Sequence, residues 1–214
     1  MAAQFPHSED ADPACGFTIG LALLDASTGK LGAALLHLAD DLEEALGVYE
    51  RTFAPQQPDG IAQARDIRVQ RIVPPIPSAA ESTGPEEAAR IAGAFPGHVR
   101  PLYALAATDA YACTPAEHAL MRLTASCREA GVPWGGGLAC GGGSLIEPCA
   151  RGPRMGRMRR TRSERIDQLI AAIRSRRAVN DMIDGPASGI LLAPCPLPAP
   201  LYPLATNFYE RHCP

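Results

Sequence analysis

The segment from Phe17 to Leu46, FTIGLALLDASTGKLGAALLHLADDLEEAL, decides the fold class of this chain. Its first eight residues, 17–24, are mostly apolar, and their length and composition are typical of a fully buried strand. The polar turn 25–30 follows this strand. Leucines then recur every three or four residues from Leu31 to Leu46, which is the spacing of an amphipathic helix. A strand, a short polar turn and a helix in this order predict the first half of a β-α-β unit.

Similar patterns recur along the rest of the chain and predict an α/β domain with a parallel sheet. Further strands are predicted at 67–73, 101–107 and 189–193, and further helices at 86–94, 115–130 and 163–177. We expect Thr114 and Ser163 to be the N-caps of the last two helices. The second strand is expected to end at Pro74, and the prolines of segment 194–203 are expected to exclude a helix there.

Length and composition limit the class of protein. The chain has 214 residues, of which 46% are hydrophobic, and this fits one soluble globular domain. Its formal net charge of −3 suggests neither a nucleic-acid nor a membrane partner. No apolar run approaches the roughly 18 residues that a membrane span needs. The acidic N-terminus lacks the apolar core of a signal peptide, so we expect a cytoplasmic protein.

Cysteines and charges give no sign of a metal or nucleic-acid site. The seven cysteines include no C-x-x-C pair, so we expect reduced thiols and no metal. Residues 1–50 carry nine acids and one base, whereas residues 151–177 carry ten arginines and two acids. Such an arginine segment is more often a solvated loop and helix start than a nucleic-acid contact. It can also pair with the acidic half of the chain, internally or across a dimer.

The turn after the first predicted strand is a candidate phosphate site. It places Ser27, Thr28, Gly29 and Lys30 before a helix N-terminus, where N–H groups, hydroxyls and the helix dipole favour an anion. A Walker A loop does not fit, because leucine stands where that motif needs its first glycine and its final Ser or Thr. The chain has no G-x-S-x-G motif, and no catalytic residue can be assigned from the sequence.

The glycine-rich stretch Trp134–Leu145, WGGGLACGGGSL, resembles a segment of the flavodoxin-like NAD(P)H-dependent oxidoreductases, which are relatives of the FMN reductases. The segment Ile19–Leu46 and the proline-rich ending Pro196–Asn207 are similar to the same family. The resemblance implies a flavodoxin-like open parallel sheet of four to five strands with helices on both faces. It also implies bound FMN, which would pass hydride or electrons from NADPH or NADH to an unknown small-molecule or protein acceptor.

The same resemblance assigns residues to the cofactor. The FMN phosphate would be bound by Ser27, Thr28, Gly29 and Lys30, and the flavin ring would be bordered by Pro75, Ile76, Pro77, Thr108, Asp109, Ala110 and Tyr111. We expect a disordered N-terminus at 1–15, a flavodoxin-like domain at 16–193 and a proline-rich tail at 194–214 packed on the domain. Relatives of this kind often form dimers, so the resemblance points to a homodimer, which no residue of this chain by itself requires.

A second interpretation stays open, namely a degenerate flavodoxin-like domain that no longer binds FMN and acts as a scaffold or binding protein. The loop 72–78, IVPPIPS, lacks the aromatic residue that usually walls the flavin in this family. The stretch 47–100 is short for two strand–helix units, which leaves open whether one strand of the sheet is missing. A different α/β enzyme, or a nucleic-acid contact through the arginine segment, is the third alternative.

Overall fold

Five parallel strands form one open sheet in the computed structural model, which describes residues 17–27, 29–53, 67–77, 101–150 and 152–212. The strands are β1 Thr18–Asp25, β2 Arg68–Pro77, β3 Leu102–Ala107, β4 Trp134–Cys140 and β5 Ile190–Ala193. Their order across the sheet is β2-β1-β3-β4-β5, and every neighbouring pair is parallel. The described residues thus contain a sheet of five strands, which settles the question raised by the short stretch 47–100.

Helices pack on both faces of this sheet, and the flavodoxin-like α/β class predicted from the sequence is confirmed. The described part of the chain has five α-helices: α1 Gly32–Phe53, α2 Thr114–Glu129, α3 Ile146–Ala150, α4 Arg160–Arg174 and α5 Tyr202–His212. None of these helices is long and apolar enough to cross a membrane, for the residues that the structure describes. The predicted disordered segment 1–15 and the predicted helix 86–94 lie outside the described residues.

The core is divided by the sheet into two layers. Successive residues of a strand point to opposite faces. On the first face, Leu21 and Tyr103 belong to a buried cluster with the apolar stripes of α1 and α4. On the second face, Ala104 packs in a separate cluster with Leu120 and Leu123 of α2. The leucine spacing that predicted α1 therefore marks the side of that helix that is buried against the sheet.

The connection from β4 to β5 crosses the sheet with an unusual hand. From β1 to β2 the chain moves towards one edge with α1 on the first face, and from β3 to β4 it moves towards the other edge with α2 on the second face. These two crossovers therefore have the same hand. From β4 to β5 the chain continues in the direction of the β3–β4 step, but α4 lies on the first face, so this crossover has the opposite hand. Because about 98% of such crossovers are right-handed, the β4–β5 connection is the exception.

Glycines in β4 allow its neighbours to pack directly against the strand backbone. A Cβ atom added to Gly135 would lie 2.5 Å from Cζ of Tyr103, and one added to Gly137 would lie 3.0 Å from Cδ1 of Leu120. Gly136 has a φ of +132°, which L side chains rarely adopt. The first glycine triplet thus serves close packing on both faces of the sheet, and it is a strand rather than a nucleotide-binding loop.

The prediction that the second strand ends at Pro74 is wrong, since β2 continues to Pro77. The physical reason is the position of β2 at the edge of the sheet, where a proline without an N–H group is tolerated. The pairing between β1 and β2 also shifts register between Ala22 and Leu24, next to the consecutive prolines. This irregularity accommodates residues that cannot donate to a regular ladder.

Three predicted helix boundaries also need correction. Helix α5 begins at Tyr202, inside the end of segment 194–203, from which the prolines were expected to exclude a helix; this is possible because Pro203 lies in the first turn, where no N–H donor is required. Thr114 is the first residue of α2, and Cys113 is its N-cap. Ser163 lies inside α4 and is fully buried, and its Oγ donates to the carbonyl oxygen of Arg154 at 3.0 Å instead of capping the helix.

Candidate functional site

The carboxyl edge of the sheet is where a parallel α/β fold binds ligands, and the predicted site residues lie there. In the sheet register, Asp25 at the end of β1 is paired with Pro77 of β2 on one side and with Ala107 of β3 on the other. The loops that follow β1 and β3 therefore begin beside each other. The structure brings the predicted phosphate loop, Pro75–Pro77 and Thr108–Tyr111 to one edge, while Thr28 lies outside the described residues.

Asp25 is the last residue of β1, directly before the predicted phosphate residues, and it is only 3% exposed. Its Oδ1 accepts hydrogen bonds from the backbone N–H of Ser27 at 2.9 Å and from the Ser27 hydroxyl at 2.6 Å. Its Oδ2 accepts a hydrogen bond from the backbone N–H of Leu31 at 2.8 Å, immediately before α1 begins. The carboxylate thus accepts hydrogen bonds from N–H and hydroxyl groups of the turn that was predicted to bind a phosphate.

Sequence reasoning placed Asp25 in a polar turn but gave it no role in the site. A local signal for part of this role exists, because Asp side chains often bond the backbone N–H two residues ahead in an Asx turn. The bond to Leu31, six residues away, depends on how the loop folds back on the strand end. Of the other predicted residues, Gly29 has a φ of +83°, and Lys30 is exposed to solvent.

The loop after β3 uses its polar groups within the protein. Thr108 is 2% exposed, and its Oγ1 accepts a hydrogen bond from the Ala110 N–H at 3.2 Å. Asp109 accepts a hydrogen bond from the Tyr202 hydroxyl at its backbone carbonyl oxygen. The Tyr111 hydroxyl donates to the carbonyl oxygen of Leu197 at 2.8 Å. The rings of Tyr111 and Tyr202 pack edge to face with centroids 5.6 Å apart, so the C-terminal tail is fastened over this loop.

The second glycine triplet, at 141–143, closes the same edge from the β4 side. The N–H group of Gly141 donates to the carbonyl oxygen of Ala193 at 3.0 Å. The N–H groups of Gly142 and Gly143 donate to the carbonyl oxygens of Ala110 and Thr108, each at 2.8 Å. Successive glycine N–H groups can form an anion-binding nest, but here all three are engaged by main-chain carbonyls. This triplet therefore joins the ends of β3, β4 and β5.

These contacts test whether the site fits FMN, the cofactor that the family resemblance implies. A phosphate needs free N–H and hydroxyl donors at the β1–α1 turn, and the Ser27 and Leu31 donors there already bind the buried Asp25 carboxylate. Tyr111, the one aromatic residue predicted to border the flavin, packs against the tail. Among the predicted FMN contacts whose side chains the structure describes, Ser27 and Tyr111 are engaged within the protein and do not fit FMN, and no electron-transfer step can be derived from them.

The arginine segment is paired with the acidic half of the chain on the first face of the sheet. Asp41 of α1 forms ion pairs with Arg154 and Arg159, both at 3.2 Å from its Oδ1. Arg154 also binds Asp167 at 2.7 Å, and Arg160 is paired with a glutamate one turn further along α4. The internal pairing with the acidic half of the chain that the charge pattern allowed is therefore present for Arg154 and Arg159.

The described cysteines and acids give no reactive or metal-binding cluster. Burial raises the pKa of Cys127 and Cys140 to about 12, and it also raises the pKa of Cys195, so these thiols are protonated at neutral pH. Among the residues that the structure describes, no group of three or more His, Cys, Asp or Glu side chains could hold a metal ion.

Comparison of the chain with known proteins gives no significant match to a family model, a curated protein or a solved structure.

Proposed function

We propose that this chain is a flavodoxin-like domain that works without FMN, as a binding or scaffold protein. The observation that carries the proposal is the buried carboxylate of Asp25 on the Ser27 and Leu31 donors. A phosphate at this turn would have to displace that carboxylate or lie beside it. The expected FMN-dependent NAD(P)H oxidoreductase activity is therefore the less favoured function.

Electrostatics indicates how strongly the carboxylate opposes a phosphate. Two like unit charges about 4 Å apart repel by about 4 kcal/mol at an effective dielectric constant of about 20. Because about 1.4 kcal/mol corresponds to a tenfold change in an equilibrium constant, this repulsion lowers phosphate affinity about a thousandfold. Lys30 is the only lysine of the chain, and because it is exposed, solvent screens its attraction for a phosphate, which therefore does not offset the repulsion by Asp25.

The experiment that tests the proposal is a flavin titration of the purified full chain. We expect a colourless protein that does not quench the fluorescence of added FMN. Asp25→Asn is the informative variant, because it removes the negative charge while keeping nearly the same side-chain volume. If FMN binds to the variant and not to the wild-type protein, the Asp25 carboxylate is what keeps the phosphate from the loop. Stoichiometric FMN in the wild-type protein, seen as a yellow colour with flavin absorbance bands, would overturn the proposal.

A binding protein needs a contact surface, and the C-terminal tail offers one. Leu204 and Phe208 are 67% and 57% exposed and lie four residues apart, on one side of α5. Leu201, which is 48% exposed, ends the 3-10 turn directly before this helix. Exposed apolar side chains that lie together usually mark an interaction surface. A two-fold interface uses the same patch on both subunits, so this stripe can pack against its own copy. It is the surface we assign to the homodimer that the family resemblance implies.

The oligomeric state in solution tests this assignment. We expect light scattering after size-exclusion chromatography to give the mass of a dimer for the wild-type chain and of a monomer for Leu204→Glu. Met121→Glu is the matched control, because Met121 is an exposed apolar residue (53%) of a different helix, α2. A wild-type monomer at high concentration, or loss of the dimer in the Met121 control alone, would contradict the use of α5.

A further inference from the structure

Arg162 is a buried cation without an acidic partner in the described part of the chain. It lies in the first turn of α4 and is 5% exposed. Its Nη2 donates one hydrogen bond, at 3.1 Å, to the carbonyl oxygen of Met158. The ion pairs formed by the other arginines of this segment do not include Arg162. A guanidinium has five N–H donors and stays protonated in proteins, so most of its donor capacity is unused here.

The neighbouring groups do not neutralise Arg162. The nearby carboxylate, Asp41, is shared between Arg154 and Arg159. Cys140 is close enough to Arg162 for electrostatic interaction, but burial raises the pKa of its thiol to about 12, so it carries no charge at neutral pH. A buried charge without a counter-charge costs several kcal/mol. An anion from solution would offset this cost.

A small cavity receives the Arg162 side chain. Its volume is about 20 Å³, and it lies between α1, α3 and the start of α4. It is lined by His37, Leu38, Asp41, Ile146, Ala150, Arg159 and Arg162. One water molecule needs about 10–15 Å³ in this measure, so the cavity accepts one or two oxygen-sized groups. The N-terminus of α4, which has no side-chain cap, adds the positive end of a helix dipole.

We propose that this cavity binds a small oxyanion, with Arg162 as its principal ligand; the Nη1 group of Arg159 already donates to the carbonyl oxygens of Ala150 and Gly152, so Arg159 contributes its charge. Of the charged side chains that line the cavity, Arg159 and Arg162 are cations and Asp41 is an anion, so the cations exceed the anion by one. One or two oxygen atoms of a phosphate or carboxylate group fill the available volume and accept from the unused guanidinium N–H groups. The remainder of the ligand lies at the mouth of the cavity.

The site is separate from the edge of the sheet where the sequence predicted a phosphate. That edge is formed by the loops after β1, β3 and β4, whereas the cavity is lined by residues of α1, α3 and the start of α4 and by none of the predicted FMN contacts. The oxyanion proposal therefore does not depend on whether the protein binds FMN. A flavin titration reports on the first location; inorganic phosphate can enter either one, so the cavity variants below decide between them.

The test is a titration of the full chain with sodium phosphate at constant ionic strength, with sodium chloride as the balancing salt. A ligand at about five times its Kd should raise the Tm of a chain of this size by about 2–4 °C. Calorimetric titration should give a stoichiometry of one. Sodium acetate is run in parallel, because a larger effect of acetate identifies a carboxylate ligand and a larger effect of phosphate identifies a phosphoryl ligand. Equal effects of phosphate, acetate and chloride would overturn the proposal.

Two variants locate the binding. Arg162→Met keeps the aliphatic stem and should raise the Kd of the oxyanion about tenfold or more, because it removes charge-assisted hydrogen bonds. Ala150→Leu fills the cavity without altering any charge and should abolish binding even if the Arg162 variant does not fold. Arg160→Met is the matched control, since Arg160 is on the same turn of α4 but is exposed and paired with Glu164. Unchanged oxyanion affinity in Ala150→Leu would place the anion elsewhere and refute the assignment.

Discussion

Replacing Asp25 by alanine gives the most direct test of how the carboxyl edge of the sheet is held together. The carboxylate is 3% exposed and accepts hydrogen bonds from the Ser27 N–H, the Ser27 hydroxyl and the Leu31 N–H. Asp25→Ala removes the acceptor for all three donors at once. It also removes a negative charge from the N-terminus of α1, where the helix dipole favours one.

The expected loss of stability follows from the burial of each donor. The Leu31 N–H lies in a buried hydrogen bond, and a bond to a charged group is worth about 1.5–3 kcal/mol. The two Ser27 donors are partly buried and can be hydrated again, so together they add about 0.5–1 kcal/mol. The free energy of unfolding should therefore fall by about 2–4 kcal/mol. For a chain of this length that corresponds to a decrease in Tm of about 5–15 °C.

The assay is thermal and urea unfolding of the full chain followed by circular dichroism. Asp109→Ala is the matched control, because Asp109 begins the loop after β3 and uses its backbone carbonyl, not its side chain, to bind Tyr202. We expect that control to change the free energy of unfolding by less than about 0.5 kcal/mol. If Asp25→Ala and Asp109→Ala have equal stabilities, the carboxylate does not organise the loop and the reasoning fails.

Three further outcomes check the packing, the thiols and the arginine cluster. Gly136→Ala should lower the free energy of unfolding by at least about 2 kcal/mol, because its φ is +132° and a Cβ would clash with the Val179 side chain. Gly47→Ala inside α1 should instead raise the free energy of unfolding by about 0.5–1 kcal/mol. Unfolding curves of both variants measure these changes. The Cys140 thiol, with a pKa of about 12 against an ordinary 9.0, should resist iodoacetamide in the folded protein while partly exposed Cys149 reacts, as read by peptide mass spectrometry. The Cys140 thiol ionises at a lower pH in the unfolded chain than in the folded protein, so the free energy of unfolding should fall as the pH rises above about 9. Asp41→Asn should lower the free energy of unfolding by about 1–3 kcal/mol, because Arg154 and Arg159 lose the charge of their shared partner. The same variant should lower the Kd for phosphate, and an unchanged Kd would contradict the charge count at the cavity.

The strand–turn–helix unit at the start of the chain could be predicted because its pattern is local. Apolar residues before Asp25 and the leucine spacing after Leu31 determine which surfaces must be buried, and both elements form as expected. The end of β2 could not be predicted, because proline is excluded from a central strand but tolerated in an edge strand. Sequence shows the proline and not the position of its strand in the sheet.

The candidate site was only partly predictable for a similar reason. The sequence places hydroxyl residues and a helix start after β1, and these features are typical of a phosphate loop. Whether the donors are free depends on the rotamer of Asp25 and on how the loop returns to Leu31. Tyr202 binds Asp109 in the loop after β3, more than ninety residues away, and a local sequence pattern cannot predict such a contact.

The hand of the β4–β5 crossover links the two main conclusions about function. With the usual right-handed connection, α4 would lie on the second face with α2, and Arg159 could not reach Asp41 on α1. The reversed hand places α4 beside α1, so the arginine segment meets the acidic helix and leaves Arg162 buried between them. It also directs the chain after β4 towards α1, where Gly143 approaches the Leu31 side chain so closely that a Cβ would lie 2.6 Å from Cδ1. The same change of topology therefore brings Gly143 against the start of α1 and creates the cationic cavity, and neither feature can be predicted from the usual rule for crossovers.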